Sequence, residues 1–211
     1  MDQRNGYCTR FAGAGIVIKD ERVARLLNLI NAAFCPPAGV PRILLALSFG
    51  FVCHTIFAAA ILAMITAMFF GLSESFGTVP WPWAVLTNLI LIVQFPLAHS
   101  VLLSKRGGIL LRRLIPGPHG DTLATTTYAI IASAQLLALF AFWTPSGIVW
   151  WRAEGAAFWA LTTAYAASWL LLTKSSFDAG AEVQSGALGW MSLMARIVQF
   201  FHVCPQKGCF D

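Results

Sequence analysis

The 211-residue sequence has little charge, because acidic and basic side chains together make up only 11% of it while 58% of the residues are apolar. Mean hydropathy is +0.71. This balance excludes an ordinary water-soluble domain, in which charged residues make up about a quarter of the chain. The basic residues are scattered between apolar runs, which argues against a nucleic-acid partner. The sequence therefore predicts a polytopic membrane protein.

Regular metal-binding and disulfide patterns are also missing. The five cysteines follow no framework, so we predict reduced thiols facing the cytosol. His202, Cys204 and Cys209 could ligate zinc, but they lack a paired Cys-x-x-Cys spacing. Haem between His54 and His99 would need both rings at one depth, and their positions along separate helices differ by roughly 10 Å. We therefore predict no bound metal.

Four apolar runs are close to or above the ~20 residues that a membrane crossing needs. They predict an all-α, polytopic membrane bundle of about four transmembrane helices, with amphipathic helices at both ends. The bundle occupies residues 42–173, between a cytoplasmic segment 1–41 and a cytoplasmic or interfacial segment 174–211. The predicted crossings are Arg42 to Leu72, Pro82 to Leu103, Leu123 to Thr144 and Ala156 to Thr173.

Segments outside the crossings are predicted to be interfacial helices or turns. Glu21 to Phe34 has helical spacing of apolar residues, which indicates an amphipathic helix on an anionic leaflet or packed on the bundle. Leu188 to Val203 indicates an interfacial helix. Ser104 to Asp121 indicates a basic loop, with Asp121 or Thr122 capping the next helix. The apolar face of the first helix consists of Val23, Leu26, Leu27, Ile30 and Phe34, opposite Arg22, Arg25, Asn28 and Asn31.

The distribution of Lys and Arg predicts the orientation of the chain. Thirteen of the 14 lie on one side of the four crossings, and Arg152 alone lies on the other. Because positive loops resist translocation, we expect both termini to be cytoplasmic, in an inner or cytoplasmic membrane. Five tryptophans then fall at the outer boundary, where amphipathic rings are enriched: Trp81, Trp83, Trp143, Trp150 and Trp151.

Several polar side chains fall inside the apolar runs, where hydrocarbon cannot satisfy them. At about 1.5 Å per residue, His99 and Tyr128 both lie in the cytoplasmic half. They could line a polar pocket open to the cytosol, or simply hydrogen-bond between helices. The other members of this set are His54, Asn88, Gln94, Gln135 and Tyr165, and we expect Thr125, Thr126, Thr127, Thr162 and Thr163 to be packed or bonded to backbone.

Three short motifs resemble a family of membrane enzymes. They are Gln94-Phe-Pro-Leu-Ala-His-Ser100, Ala124-Thr-Thr-Thr-Tyr-Ala129 and Trp143-Thr-Pro-Ser-Gly147 with Val149-Trp150. Together they are similar to the N-terminal half of isoprenylcysteine carboxyl methyltransferase-like integral membrane methyltransferases, which include the NnrU-like and methanethiol S-methyltransferase-like proteins. The resemblance covers roughly residues 83–151.

The resemblance implies S-adenosylmethionine as methyl donor and a small thiol or lipid-linked acceptor. It implies that Gln94, His99 and Tyr128 line the acceptor pocket, in which His99 could act as a base or as a hydrogen-bond donor. The family binds the donor around an Arg-His-Pro or Arg-Gln-Pro tripeptide nearer its C-terminus. Residues 205–210 resemble the lead-in to that tripeptide, and the chain stops one step before it. We therefore expect a truncated end that lacks the donor motif.

A hypothesis that assigns a different kind of function stays open. The same polar residues could belong to a non-enzymatic membrane protein, either a small-molecule permease or an assembly subunit, in which they line a path or an interface. The sequence has no internal repeat of the kind found in inverted-repeat transporters. Methyl transfer distinguishes the two hypotheses, because only the enzyme carries it out.

Overall fold

A computed structural model of the chain describes residues 21–115, 117–149 and 151–197, and these fold into helices without a β-strand. Four helices in this part of the chain are long and apolar enough to cross a membrane, which confirms the predicted all-α bundle of an integral membrane protein. The helices are α1 (Glu21–Phe34), α2 (Val40–Phe69), α3 (Trp83–Leu102), α4 (Lys105–Arg113), α5 (Gly120–Ala141), α6 (Gly155–Asp178), α7 (Ala181–Gln184) and α8 (Ala187–Met194). The four crossings are α2, α3, α5 and α6.

The predicted basic loop between the second and third crossings contains a helix, α4. Ser104 is its N-cap, and the side-chain oxygen accepts the backbone N–H of Gly107 at 3.1 Å. The predicted cap of α5 was wrong: α5 begins after His119 without a side-chain cap, and Asp121 instead binds Arg112 at 3.1 Å. The short helix was missed because its four basic residues and two glycines resemble a loop in composition.

α5 is the central helix of the bundle, since it packs against α2, α3, α4 and α8. Its N-terminal half is buried from Thr122 to Thr127, whereas α6 has no buried residue. Tyr165 joins α6 to the C-terminal end of α2, because its hydroxyl donates to the carbonyl of Ile65 at 2.8 Å. Three helices, α2, α5 and α8, therefore form the packed core, and α6 lies at its edge.

α8 is inserted between α2 and α5, where Thr126 fixes its first turn. The Thr126 hydroxyl donates to the carbonyl of Gly186 at 2.7 Å and accepts the N–H of Trp190 at 3.0 Å. The expectation that this threonine bonds to backbone is confirmed. Such close approach needs glycine, because a Cβ on Gly189 would lie 2.4 Å from the Thr126 Oγ1 atom.

Arg42 holds the other end of α8. Its guanidinium donates to the carbonyls of Leu193 and Met194, in the last turn of α8, and to Pro37. A cation on the final carbonyls of a helix satisfies groups that have no intrahelical partner and complements the helix dipole. The predicted interfacial helix at residues 188–203 is thus, in its described part, a short helix packed into the bundle.

The N-terminal helix has the predicted bounds but packs through a partly different face. Leu29 is buried against Ala187 and Met191 of α8, with Ile30 and Ala33 alongside. Of the predicted apolar face, Val23, Leu27 and Phe34 are exposed. The side chains of Leu26, Arg22, Arg25 and Asn28 lie outside the described part.

The cysteines differ from the prediction at one position. Cys53 is free and buried, and its thiol donates to the carbonyl of Ser185 at 3.3 Å. Cys35 is disulfide-bonded, so the expectation of reduced thiols was wrong there.

Replacing Gly186 by alanine should destabilise the bundle, because the new Cβ would lie 2.5 Å from the Ala129 Cβ and 2.8 Å from the Cys53 Sγ. Gly147→Ala is the matched control: Gly147 has φ +73° against +72° for Gly186, and no atom within 4 Å of an added Cβ. Overpacking of this kind costs about 1–3 kcal/mol beyond the shared cost of positive φ. Thermal unfolding in detergent should show a lower midpoint for G186A than for G147A; equal midpoints would contradict the insertion of α8.

Candidate functional site

Polar residues of α3 make hydrogen bonds to α5 and to the residues that follow it at three levels, and we call this contact the α3–α5 seam. Asn88 pairs with Thr144, Gln94 pairs with Gln135, and His99 pairs with Tyr128. The structure therefore brings all three predicted site residues, Gln94, His99 and Tyr128, into one interface. They lie there because α3 and α5 are antiparallel crossings whose polar residues face each other.

The outermost pair, Asn88 and Thr144, joins a side chain to backbone. The amide nitrogen of Asn88 donates to the carbonyl of Thr144 at 2.8 Å, and its oxygen accepts the Thr144 N–H at 2.9 Å. Thr144 follows the end of α5, where the chain has left the helix. The asparagine therefore satisfies backbone groups that hydrocarbon would leave unpaired.

The middle pair joins Gln94 and Gln135 through their main chains. The Gln94 amide donates to the carbonyls of Gln135 at 3.0 Å and Leu91 at 3.2 Å, and the Gln135 amide donates back to the carbonyl of Gln94 at 3.4 Å. The Oε1 atom of Gln135 is buried and has no hydrogen-bond partner in the described part of the chain. The Oγ1 atom of Thr144 is likewise buried without a partner there, so the seam retains two polar atoms that a ligand or water could satisfy.

The innermost pair, His99 and Tyr128, contains the titratable groups of the seam. The Tyr128 Oη atom lies 2.5 Å from the His99 Nδ1 atom and 3.1 Å from Nε2. The two ring centroids are 5.5 Å apart, and the Phe95 ring lies 5.7 Å from the imidazole. Both side chains are half-buried. The contact agrees with the depth estimate that put both residues in the same half of the bilayer.

An apolar cluster lies on the inner side of the His99–Tyr128 pair. Leu102 follows His99 by one turn of α3 and Ala124 precedes Tyr128 by one turn of α5, and both pack with Leu111 of α4. Tyr128 itself packs against this cluster. Hydrogen bonds between helices therefore account for the positions of Gln94, His99 and Tyr128. Their role in lining an acceptor pocket stays a prediction.

His54 belongs to a different surface. Its Nε2 atom accepts the indole N–H of Trp190 at 3.1 Å, between α2 and α8. Beside it lies an open groove of 720 Å³ along α2, lined almost entirely by apolar side chains. His54 and His99 thus have different partners on different helices, and the structure does not bring them together as a haem site would require.

The described residues contain no group of three or more His, Cys, Asp or Glu side chains that could hold a metal ion. The zinc candidates His202, Cys204 and Cys209 lie outside those residues, as does the segment 205–210 that resembles the lead-in to a donor motif.

The sequence did not identify the residues that position α8. They are Thr126, which makes two hydrogen bonds to its first turn, Trp190, and Arg42, which binds the carbonyls of its last turn. The sequence does contain a signal for α8: Gly186 and Gly189 lie three positions apart, and small residues at such a spacing let a helix approach its neighbour closely. For the contact of Arg42 with α8 no local signal exists, since the two carbonyls that it binds there are about 150 residues away.

A curated protein named methanethiol S-methyltransferase, from Pseudomonas deceptionensis, is 31% identical to this chain over 100 residues. The match covers 46% of the chain and 36% of that relative, so the chain spans little more than a third of the relative's length. No family model matches the chain, and no solved structure does. The chain is thus distantly similar to part of a protein named as a methyltransferase.

Loss of the outer seam pair should destabilise the protein. Asn88→Ala leaves the Thr144 backbone groups without their partner, which we expect to lower stability by about 1–2 kcal/mol. Thr87→Ala is the control, since the Thr87 hydroxyl bonds only within α3, to the carbonyl of Trp83. Chemical unfolding in mixed micelles should separate the two variants. Equal stability of N88A and T87A would show that the outer pair does not hold the helices together.

Proposed function

We propose that this chain belongs to an S-adenosylmethionine-dependent membrane methyltransferase and that the inner end of the α3–α5 seam receives the acceptor, a small thiol or a lipid-linked group. The observation that best supports this proposal is the contact between the Tyr128 Oη and His99 Nδ1 atoms, at 2.5 Å. Both residues lie inside the segment that resembles the methyltransferase family. The similarity to a protein named methanethiol S-methyltransferase supports the same class and favours a thiol acceptor.

The chemistry of the pair suits a thiol. A thiol reacts as its thiolate, so a base that takes the S–H proton increases the nucleophile available at neutral pH. A neutral imidazole has a ring nitrogen with a free lone pair, which can accept that proton. In the proposed role, one ring nitrogen of His99 takes the proton while the Tyr128 hydroxyl holds the imidazole, and Gln94 lines the pocket next to them.

The methyl donor does not fit the described residues. S-adenosylmethionine carries a carboxylate, an ammonium group and an adenine, and a site for them needs several converging polar groups. The groove beside His54 offers His54, Thr55 and the Trp190 indole among otherwise apolar walls, and the Trp190 N–H already binds His54. We therefore assign no donor-binding residue among residues 21–115, 117–149 and 151–197.

The proposal includes an orientation. With both termini on the cytoplasmic side of an inner membrane, α4 lies at the cytoplasmic surface of the bilayer and the His99–Tyr128 pair lies in the adjacent half of the bilayer. A small thiol would reach the pair from that side or through the bilayer.

One observation favours the non-enzymatic alternative. Each of the three seam pairs makes hydrogen bonds across the interface, as purely structural polar residues do in membranes. A permease or assembly subunit needs nothing more from them.

Transfer of labelled methyl groups to methanethiol by membranes that contain the chain in its full-length context tests the proposal. Wild type should form labelled dimethyl sulfide, and His99→Ala should lower the rate by roughly 10²–10⁴-fold, the usual contribution of a general base. Tyr128→Phe, which keeps the ring and removes the hydroxyl, should lower it less.

Asn88→Ala is the control for this assay, because it disturbs the same seam at its outer end, far from the reacting group. It should retain most of the activity once the amount of folded protein is matched. An equal loss of activity in N88A and H99A would show that His99 has only a structural role. Absence of methyl transfer by folded wild type, with thiol flux instead, would support the permease.

A further inference from the structure

We propose that α4 is a binding strip for anionic phospholipid headgroups, formed by Arg106 and Arg113 together with Leu110 and Leu114. The spacing of these four residues is i, i+4, i+7 and i+8, which places them along one side of a helix. All four are exposed. The inference concerns the membrane surface and does not depend on the proposed methyl transfer.

The opposite side of α4 faces the protein and is buried against it. Gly107, Gly108 and Leu111 are buried, and Leu111 packs against Leu102 and Ala124. A Cβ on Gly107 would lie 2.1 Å from the carbonyl oxygen of Val101, so α4 is pressed against the end of α3. This contact fixes which side of α4 faces outward.

The height of α4 is fixed by the crossings that it joins. It begins three residues after the last residue of α3, and α5 begins at Gly120, seven residues after Arg113. Both neighbours are apolar helices long enough to cross a membrane. α4 must therefore lie at the boundary where lipid headgroups are found.

Charge identifies the occupant of the strip. The ion pairs in the described part of the chain are Arg112 with Asp121 and Lys174 with Asp178, so no described carboxylate neutralises Arg106 or Arg113. A guanidinium binds phosphate oxygens through two parallel hydrogen bonds. Leu110 and Leu114 are 49% and 55% exposed next to these arginines, and at a membrane boundary they would enter the acyl region. A phosphodiester headgroup with acyl chains matches both features.

Native mass spectrometry of the full chain, released from detergent with equimolar phosphatidylglycerol and phosphatidylcholine, measures the preference directly. Wild type should bind phosphatidylglycerol preferentially. Arg106→Gln with Arg113→Gln should reduce that preference at least tenfold, since each basic residue near an anionic surface contributes about fivefold in affinity. The matched control, Arg152→Gln with Lys174→Gln, removes the same charge elsewhere and should retain the wild-type preference.

Two further arms separate a lipid from a soluble phosphate. Leu110→Gln with Leu114→Gln keeps both arginines and should weaken phosphatidylglycerol binding, while glycerol phosphate, which has no acyl chain, should bind wild type far more weakly than the lipid. An unchanged lipid preference in the double arginine variant would overturn the proposal. Equal binding of glycerol phosphate and phosphatidylglycerol would overturn the assignment to lipid.

Discussion

Hydrocarbon cannot accept or donate hydrogen bonds, so every polar group within the crossings must find its partner inside the protein. This constraint explains why Asn88, Gln94 and His99 all lie on the side of α3 that faces α5. Helix association in a membrane has no hydrophobic driving force of the kind that operates in water. Interhelical bonds and close packing therefore determine which helices meet and in what register.

α5 satisfies this constraint on two sides by different means. Towards α3 it presents long side chains, Tyr128 and Gln135, that reach across the seam. Towards α8 it presents Thr126, whose hydroxyl can bond to backbone only because Gly186 and Gly189 allow the helices to approach closely. One side of α5 thus carries the His99–Tyr128 pair, whereas the other is densely packed around Thr126. That difference is why we place chemistry at the seam and stability at α8.

The sequence was sufficient to predict the four crossings, because length and hydrophobicity are local properties. Depth along two helices was sufficient to predict that His99 and Tyr128 lie in the same half of the bilayer, but not that their side chains are in contact. The position of α8 was not predictable in the same way, since it depends on contacts between Arg42, Thr126 and backbone groups far away in the chain. The α4 helix was missed for another reason: its basic residues and glycines suggest a loop, and only its packing against Leu102 and Ala124 makes the helix stable.

Nitrogen NMR of the histidine side chains tests most directly whether the inner seam is an acceptor site. The protein, labelled with ¹⁵N at its four histidines, would be embedded in nanodiscs and titrated with methanethiol, and the His99 signals would be assigned from the His99→Ala spectrum. The account predicts that the thiol shifts the ring nitrogens of His99 and leaves those of His54, which bind Trp190 on another surface, unchanged. The account would be contradicted if methyl transfer proceeded at a thiol concentration that did not shift the His99 signals.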